Sequence, residues 1–378
     1  MREVLLTGAA RTPIGDLNGT LAGVSAIELG TTAAVASLQR AGISKDKIGA
    51  VIVGNVLQAG LGQNSARQIA IGSGIPPEVA AFTVNQVCGS GLKAIDLAWR
   101  QVAIGAVDAV LAGGVESMSG APYILPSLRA GARLGERPAL DTVICDGLTD
   151  VFNHYHMGIT AENVAEKYGI SRQEQDAFAL ASQEKYAQAR QKGRFDAELV
   201  PVTIKSRKQE IIVDRDEHPR PDITLADLAR LKPAFKPDGS VTAGNASGIN
   251  DGAASVIVLD GENGAALGVK RSSCVRIRAA ASCGCAPELM GIGPIHAVRQ
   301  LLKQQGMNAG DIDLWELNEA FAAQSIAVIN ELKLDAAKVN VNGGAIAMGH
   351  PIGASGARIV VTLMHEMKRR NAAFGVAS

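Results

Sequence analysis

The chain repeats part of its own pattern at a separation of 264 residues, and this repeat is the strongest constraint on its fold. Residues 25–55 show an amphipathic helical pattern, a glycine, a polar turn and an apolar strand, and residues 293–318 show the same order. Gly42 matches Gly306 at an offset of 264. At an offset of 265, a second match aligns two glycine-containing segments, Ser90–Lys93 and Ser355–Arg358. Two matches in nearly one register indicate a duplicated α/β unit.

Each copy of the repeat alternates helices with strands rich in β-branched residues, which predicts a largely parallel sheet covered by helices. The segment between the copies differs, because it carries several prolines and a charged helical pattern from Ser171 to Lys192 that begins with a capping box. We therefore predict an α/β fold of two duplicated halves stacked in layers, plus an inserted loop domain. The expected boundaries are residues 1–118 with 250–270 for the N-terminal half, 119–249 for the loop domain and 271–378 for the C-terminal half.

The composition argues against several classes of protein. Basic and acidic residues number 37 each and aromatic residues make up 3%, which disfavours a nucleic-acid or anionic-membrane partner. Five cysteines form no disulfide framework, and Cys283-Gly284-Cys285 is too closely spaced for a zinc motif, so no metal is expected. The sequence shows no run of about 18 apolar residues and no charged leader followed by an apolar region. We expect a cytoplasmic protein.

The first chemical signal is Cys88, in the segment Val84–Ile95. An apolar run ends at the cysteine, two glycines flank the next serine, and a helical apolar pattern follows. This order predicts a strand, a tight turn and a helix, with the thiol at the helix N-terminus. There, unpaired backbone N–H groups and the helix dipole would stabilise a thiolate and an oxyanion formed on it. A lone cysteine is often only a packing residue, but the glycine-rich histidine segment downstream favours a nucleophile.

The second signal is His350, which lies between Gly349 and Pro351 and so has few neighbours to bury it. In the register of the repeat it falls within two residues of the position equivalent to Cys88, which predicts a base opposite the thiol across the two halves. Asn318 follows the second repeat strand, where it can hold a water or donate to an oxyanion. The alternatives are a structural loop histidine and an ordinary turn asparagine.

The third signal is the segment Thr242–Gly252, whose small residues permit close approach of a ligand. The sequence contains no dinucleotide-binding fingerprint and no phosphate-binding P-loop, so we expect no bound cofactor. It also lacks a G-x-S-x-G elbow, which disfavours a serine hydrolase.

Together these segments resemble the thiolase family and, within it, the acetyl-CoA acetyltransferases. The likeness is carried by the cysteine segment, by Asn318-Glu319-Ala320-Phe321 and by Gly349-His350-Pro351, and it extends from Val4 to the last residue. The resemblance implies two stacked β-α-β-α-β-α-β-β halves and a loop domain. It also implies that an acyl-CoA acylates Cys88, with His350 as the base, and that the enolate of a second acyl-CoA attacks this thioester. His350 and a water held by Asn318 would stabilise the enolate oxygen.

The resemblance further implies acyl-CoA partners, no cofactor other than CoA as substrate and product, and a homo-oligomer, usually a tetramer or a dimer. A methionine at the position of Met157 is typical of short-chain enzymes, and Ser247 matches a serine that contacts the pantetheine chain. Plain core packing is the alternative for the apolar members of the remaining substrate-binding set, which is His156, Leu148, Arg220, Phe235, Ala243, Met290 and Phe321.

One departure from the family pattern concerns the C-terminal end. Thiolases carry a second catalytic cysteine in a Cys-x-Gly-Gly-Gly motif, and this sequence stops at Phe374–Ser378, where that motif would follow. The repeat agrees, because the strand pattern of Ala109–Gly114 predicts a partner near residues 374–379. We expect the native chain to continue; the alternative is a catalytically impaired thiolase relative that binds CoA thioesters. A decarboxylating ketosynthase is disfavoured, because it needs a second histidine where this chain has Asn318-Glu319.

Overall fold

The computed structural model describes residues 2–131, 133–205 and 210–378. The helices of these residues are α1 (Ala26–Ala41), α2 (Ser65–Gly72), α3 (Ser90–Ala103), α4 (Met157–Tyr168), α5 (Arg172–Gln191), α6 (Leu225–Ala229), α7 (Gly293–Gln305), α8 (Ala322–Glu331), α9 (Ala345–Met348) and α10 (Ile352–Arg370). The strands are β1 (Val4–Arg11), β2 (Gly15–Asp16), β3 (Ala50–Gly54), β4 (Ala80–Val84), β5 (Ala109–Ser117), β6 (Tyr123–Ile124), β7 (Leu140–Asp141), β8 (Thr149–Asp150), β9 (Tyr155–His156), β10 (Val202–Lys205), β11 (Glu210–Val213), β12 (Asn250–Asp260), β13 (Val275–Ile277), β14 (Leu314–Glu316) and β15 (Gly375–Ala377).

The N-terminal half runs β1-α1-β3-α2-β4-α3-β5-β12 along the chain, which is the element order that the resemblance implied. Its strands lie in one sheet with β13, in the order β13-β1-β12-β5-β3-β4, and β2 pairs with β12. The two faces of this sheet bury different side chains: Val110 packs in the cluster of α3 and α10, whereas Leu111 packs in the cluster of α1 and α2. The sheet is therefore covered by helices on both faces.

The prediction of a largely parallel sheet is wrong for this half. Strands β5, β3 and β4 are parallel, but β12 runs antiparallel to both β5 and β1, and β13 runs antiparallel to β1. Strand β12 is reached only after the long segment 119–249, so it can return beside β5 in the opposite direction. A strand buried on both faces is a continuous apolar run in either direction, and its sequence does not reveal its orientation.

The two halves meet where the repeat-related helices α3 and α10 cross. A Cβ atom at Gly91 would lie 2.6 Å from the backbone nitrogen of Ala357, and one at Gly356 would lie 2.3 Å from that of Leu92. Both distances are impossible for a real side chain, so the crossing needs glycine on each helix. These glycines occupy equivalent positions of the repeat, which brings the loops before α3 and α10 together.

The C-terminal half repeats features of the first half. Helices α1 and α7 both end in a left-handed glycine, Gly42 with φ 68° and Gly306 with φ 62°. Strand β15 pairs in parallel with β14, as β5 does with β3. Trp315 of β14 is fully buried in the apolar cluster that α7 and α8 form. The alignment of Gly42 with Gly306 is confirmed.

The segment 119–249 contains short antiparallel strand pairs, β6 with β7, β8 with β9 and β10 with β11, together with α4, α5 and α6. Helix α5 confirms the predicted charged helix, and Ser171 and Glu174 form its capping box. The proposed boundaries of the three units stay predictions. Among the described residues, no helix has both the length and the apolar character needed to cross a membrane.

Candidate active site

Cys88 lies in the tight turn between β4 and α3, which confirms the predicted strand, turn and helix. The residue before it, Val87, has φ 49°, a conformation that is uncommon and strained for a β-branched residue. Side chains on both sides support this turn: Asn85 Oδ1 accepts from Val87 N at 2.9 Å, and Ser90 Oγ accepts from Gln86 N at 2.8 Å. The strain therefore falls next to the candidate nucleophile.

His350 lies within hydrogen-bond reach of this thiol, with 3.2 Å between His350 Nε2 and Cys88 Sγ. On the other side of the ring, His350 Nδ1 is 2.5 Å from Ser355 Oγ. The Ser355 hydroxyl donates to Pro351 O at 3.0 Å, so its oxygen is left to accept from His350 Nδ1–H. That bond selects the tautomer whose Nε2 lone pair faces Cys88. The histidine is therefore oriented to take the thiol proton.

Burial controls the charge of the pair. It is the main reason that the pKa of the Cys88 thiol is raised to about 11, and the charge of Glu116 contributes to that rise. It is also the main reason that the pKa of His350 is lowered to about 4, and the nearby Arg358 guanidinium contributes to that fall. At neutral pH these shifts favour a thiol and a neutral imidazole in the resting pair, and stabilisation of a thiolate by the helix N-terminus stays a prediction. The expectation that His350 has few neighbours is wrong, since it is 5% exposed.

Asn318 completes the polar side of the site. Its Nδ2 lies 3.4 Å from both ring nitrogens of His350, and within the described chain its buried Oδ1 accepts no hydrogen bond. Asn340 fixes the preceding residue, because its Oδ1 accepts from Leu317 N and its Nδ2 donates to Leu317 O, both at 2.8 Å. The Asn318 side chain therefore lies beside His350 with its Oδ1 available to accept a hydrogen bond.

A cavity of about 1530 Å³ connects these residues to the protein surface. All of the residues predicted for the site line it, and their individual roles stay predictions. They are Cys88, His350, Asn318, Ser247, His156, Met157, Leu148, Arg220, Phe235, Ala243, Met290 and Phe321.

Part of the cavity wall is aromatic, and contacts within the chain hold its side chains in place. The rings of His156 and Phe235 stack with centroids 4.7 Å apart, and Phe235 meets Phe321 edge-on at 6.2 Å. His156 Nδ1 accepts from Gly158 N at 3.0 Å and so caps α4. Ser247 N donates to Ala320 O at 3.0 Å, which joins the small-residue loop to the Asn318 loop. Arg220 is exposed and also lines the cavity.

The sequence analysis missed three residues that hold the reactive pair. Ser355 fixes the His350 tautomer, Asn250 Oδ1 accepts from His350 N at 2.8 Å, and Glu116 bonds to loops on both sides of the pair. A signal existed for Ser355, because the repeat aligns it with Ser90, which supports the Cys88 turn. Asn250 lies in the small-residue segment Thr242–Gly252, but nothing in that segment marks its side chain as a partner of His350. Glu116 lies far from the motifs in sequence, and no local pattern marks it.

The fold and the site define a class of protein: two repeated α/β halves that bring a cysteine thiol and a neutral histidine together where they meet, a pair suited to nucleophilic catalysis. The thiolase N-terminal domain model matches residues 4–262, and the thiolase C-terminal domain model matches residues 272–378. The chain belongs to the thiolase family.

Named relatives cover the whole chain. An acetyl-CoA acetyltransferase of Syntrophomonas wolfei is 54% identical over 100% of this chain and 96% of its own length. An acetyl-CoA acetyltransferase of Pseudomonas aeruginosa is 52% identical with the same coverage, 100% and 96%. Among solved structures, the Bacillus anthracis acetyl-CoA acetyltransferase has a TM-score of 0.97 and 45% identity, covering 100% of this chain and 95% of its own. These similarities confirm the predicted fold class and family.

Proposed function

We propose that this protein is an acetyl-CoA C-acetyltransferase, which condenses two acetyl-CoA molecules reversibly to acetoacetyl-CoA and CoA through an acetyl-cysteine at Cys88. The observation that carries the proposal is the 3.2 Å contact between Cys88 Sγ and His350 Nε2, with Ser355 fixing the tautomer. The relatives named acetyl-CoA acetyltransferase, at 52–54% identity over the full chain, support the substrate and the reaction.

The first half-reaction uses the Cys88 thiol and the neutral His350. As the sulfur attacks the thioester carbonyl, its proton moves to His350 Nε2, and the CoA thiolate then leaves and takes that proton. Because burial lowers the pKa of His350 to about 4, the imidazole is free to accept the proton at neutral pH. The product is acetyl-Cys88 and free CoA, and the reaction needs no cofactor.

In the second half-reaction, the enolate of another acetyl-CoA attacks the carbonyl carbon of acetyl-Cys88. The bond from this carbon to Sγ breaks, which releases acetoacetyl-CoA and leaves a Cys88 thiolate that takes up the proton lost from the second acetyl-CoA. A water that donates one hydrogen to the free Asn318 Oδ1 would keep its other hydrogen for the enolate oxygen, next to His350. In thiolases a second cysteine takes the α-proton, and for this step the proposal rests on the family resemblance. Met157 at the cavity supports a short acyl chain, and the aromatic wall with Ser247 supports binding of the pantetheine arm.

The test is acetylation of the native protein by acetyl-CoA, followed by intact mass and peptide mapping. We expect one acetyl group per chain, located on Cys88 and lost in Cys88→Ala. Cys283→Ala is the matched control, because Cys283 also lines the cavity but lies outside the proposed mechanism, and it should keep the label. Tight binding of acetyl-CoA without acetylation would favour the impaired, thioester-binding alternative. Release of CO2 from a malonyl thioester would favour the alternative of a decarboxylating ketosynthase.

The proposal includes a homo-oligomer. Strand β4 is the last strand of the sheet and pairs only with β3 among the described strands, so its other edge leaves backbone groups open to pairing with a second copy. Phe82 of β4 and the nearby Val87 are apolar and exposed, 37% and 45%. Light scattering of the native protein tests this, and Phe82→Asp should shift the mass toward the monomer.

We also propose a cytoplasmic location and a role in fatty acid metabolism, which fractionation and metabolite profiling would test.

A further inference from the structure

Glu116 is a fully buried carboxylate near the end of β5, and its partners are all neutral N–H groups. Glu116 Oε1 accepts from Asn55 Nδ2 at 2.7 Å and from Leu57 N at 3.1 Å. Glu116 Oε2 accepts from Val56 N at 3.0 Å and from Gly353 N at 2.9 Å. A carboxylate has two acceptor oxygens and no donor, so it is the side chain that can satisfy four such N–H groups at once.

These four donors belong to the two segments that frame the reactive pair. Val56 and Leu57 follow β3 and contribute to an apolar cluster against which Cys88 packs. Gly353 lies in the first turn of α10, three residues after His350. One carboxylate therefore connects the wall beside the nucleophile to the helix that carries the base. The cluster consists of Val56, Leu57, Met118, Val143 and Ile352.

We propose that Glu116 is a positioning residue for acyl transfer: its carboxylate holds the first turn of α10, and with it His350, at reaction distance from Cys88. This inference rests on the proposed function and adds to it a residue that touches neither substrate nor the reacting atoms. A displacement of about 1 Å between reacting groups costs about 100-fold in rate. The 3.2 Å contact between Cys88 and His350 leaves little room for such a displacement.

The charge of Glu116 gives a second, separable signature. Its negative charge contributes to the raised pKa of Cys88, after burial. Burial raises the pKa of Glu116 itself to about 7, and the backbone N–H groups of Leu57, Val56 and Gly353 oppose that rise. Among the other titratable groups, Arg358 on α10 lowers the pKa of His350, and His156 and Arg220 line the same cavity. Loss of the Glu116 charge should therefore favour the Cys88 thiolate, whereas loss of the Glu116 hydrogen bonds alone should not.

The variants that separate the two effects are Glu116→Gln and Glu116→Asp. Glutamine keeps the size but turns an NH2 group toward two of the four N–H donors, so both the geometry and the charge are lost. Aspartate keeps the charge but withdraws its oxygens by one methylene. Glu162→Gln is the matched control, because Glu162 is also buried and accepts from backbone N–H groups, those of Ser240 at 2.9 Å and Val241 at 2.8 Å.

Two measurements are made on each folded variant: the single-turnover rate of Cys88 acetylation by saturating acetyl-CoA, and the rate of Cys88 alkylation by iodoacetamide between pH 7 and 9. For Glu116→Gln we expect acetylation to fall about 100-fold, with half-saturation by acetyl-CoA nearly unchanged. Alkylation should become about twofold faster near pH 9, where wild-type Glu116 is charged, and less so near pH 7, because the pKa of Glu116 is about 7. Glu116→Asp should lose acetylation without the faster alkylation, and Glu162→Gln should match the wild type in both.

The inference is overturned if folded Glu116→Gln acetylates and alkylates like the wild type, or if Glu162→Gln loses acetylation to the same extent. If Glu116→Gln does not fold, a wild-type acetylation rate in Glu116→Asp overturns it. Failure of the wild type itself to acquire an acetyl group would refute the proposed function instead, and the alkylation rates would still decide whether Glu116 acts on Cys88.

Discussion

Replacement of Ser355 by alanine should slow acetylation of Cys88 while leaving the fold intact. In the structure, Ser355 Oγ is 2.5 Å from His350 Nδ1 and donates its own proton to Pro351 O. With alanine, the buried His350 Nδ1–H has no acceptor, and the other tautomer becomes competitive. That tautomer carries its proton on Nε2 and therefore cannot accept the proton of Cys88. Alanine is also a better helix former than serine, so α10 should not suffer.

The size of the effect follows from the burial of the ring. A buried donor that loses its acceptor costs about 1–3 kcal/mol. The bond from Nδ1–H becomes charge-assisted when His350 takes the thiol proton, so most of this cost falls on the transition state. Since 1.36 kcal/mol is a factor of ten, we expect acetylation to slow about 5- to 150-fold. Binding of acetyl-CoA should change little, because Ser355 is itself fully buried behind His350.

The assay is single-turnover acetylation followed by quenched-flow mass spectrometry, with thermal unfolding measured in parallel. Ser325→Ala is the matched control, because Ser325 is also a buried helical serine whose hydroxyl donates to the carbonyl four residues earlier, that of Phe321 at 3.1 Å. The control should keep the wild-type rate. A folded Ser355→Ala variant with the same rate as Ser325→Ala would refute the argument that Ser355 selects the productive tautomer.

Three further results are expected. Because burial raises the pKa of Cys88 to about 11 and lowers that of His350 to about 4, alkylation of Cys88 by iodoacetamide should rise about tenfold per pH unit from 6 to 9; a plateau across this range would show a preformed ion pair instead. Asn318→Ala should reduce formation of acetoacetyl-CoA about 100-fold or more but leave acetylation within a few-fold, as measured by comparing the two half-reactions; equal losses would contradict a role in enolate stabilisation. Arg11→Met should lower the free energy of unfolding by about 3–5 kcal/mol in urea titrations, because it leaves the buried carboxylates of Glu198 and Asp216 without their cation. A loss below about 1 kcal/mol, the value expected for the exposed pair of Arg271 and Glu3, would show that the two carboxylates do not depend on Arg11.

The repeat register carried most of what the sequence could predict about the site. It placed His350 opposite Cys88, and the two side chains lie 3.2 Å apart although 262 residues separate them. The same register aligns Gly91 with Gly356, the two residues that allow α3 and α10 to cross. An alignment of this kind works because a duplicated fold brings equivalent loops to equivalent places. It also aligned Ser90 with Ser355, whose matching roles became visible only with their hydrogen bonds.

The direction of β12 and the role of Glu116 could not be predicted from the sequence. A strand buried on both faces has no alternating pattern, so its partner and its orientation are set by contacts made far along the chain. Glu116 is a single acidic residue within an apolar strand, and the residues whose N–H groups it satisfies lie at positions 55–57 and 353. Only the folded chain brings these donors to one carboxylate.

The pKa of Cys88 is shifted against the direction that the helix N-terminus alone would give, and the magnitudes explain why. A helix N-terminus stabilises an adjacent negative charge by about 2 kcal/mol at most, which corresponds to a fall in pKa of about 1.5. Burial acts in the opposite direction and prevails, because it raises the pKa of the thiol to about 11. The thiolate is therefore expected only as its proton moves to His350 during attack on the thioester. The N-terminus of α3 then acts on charge that develops in the transition state, where its stabilisation lowers the barrier and does not merely hold a resting anion.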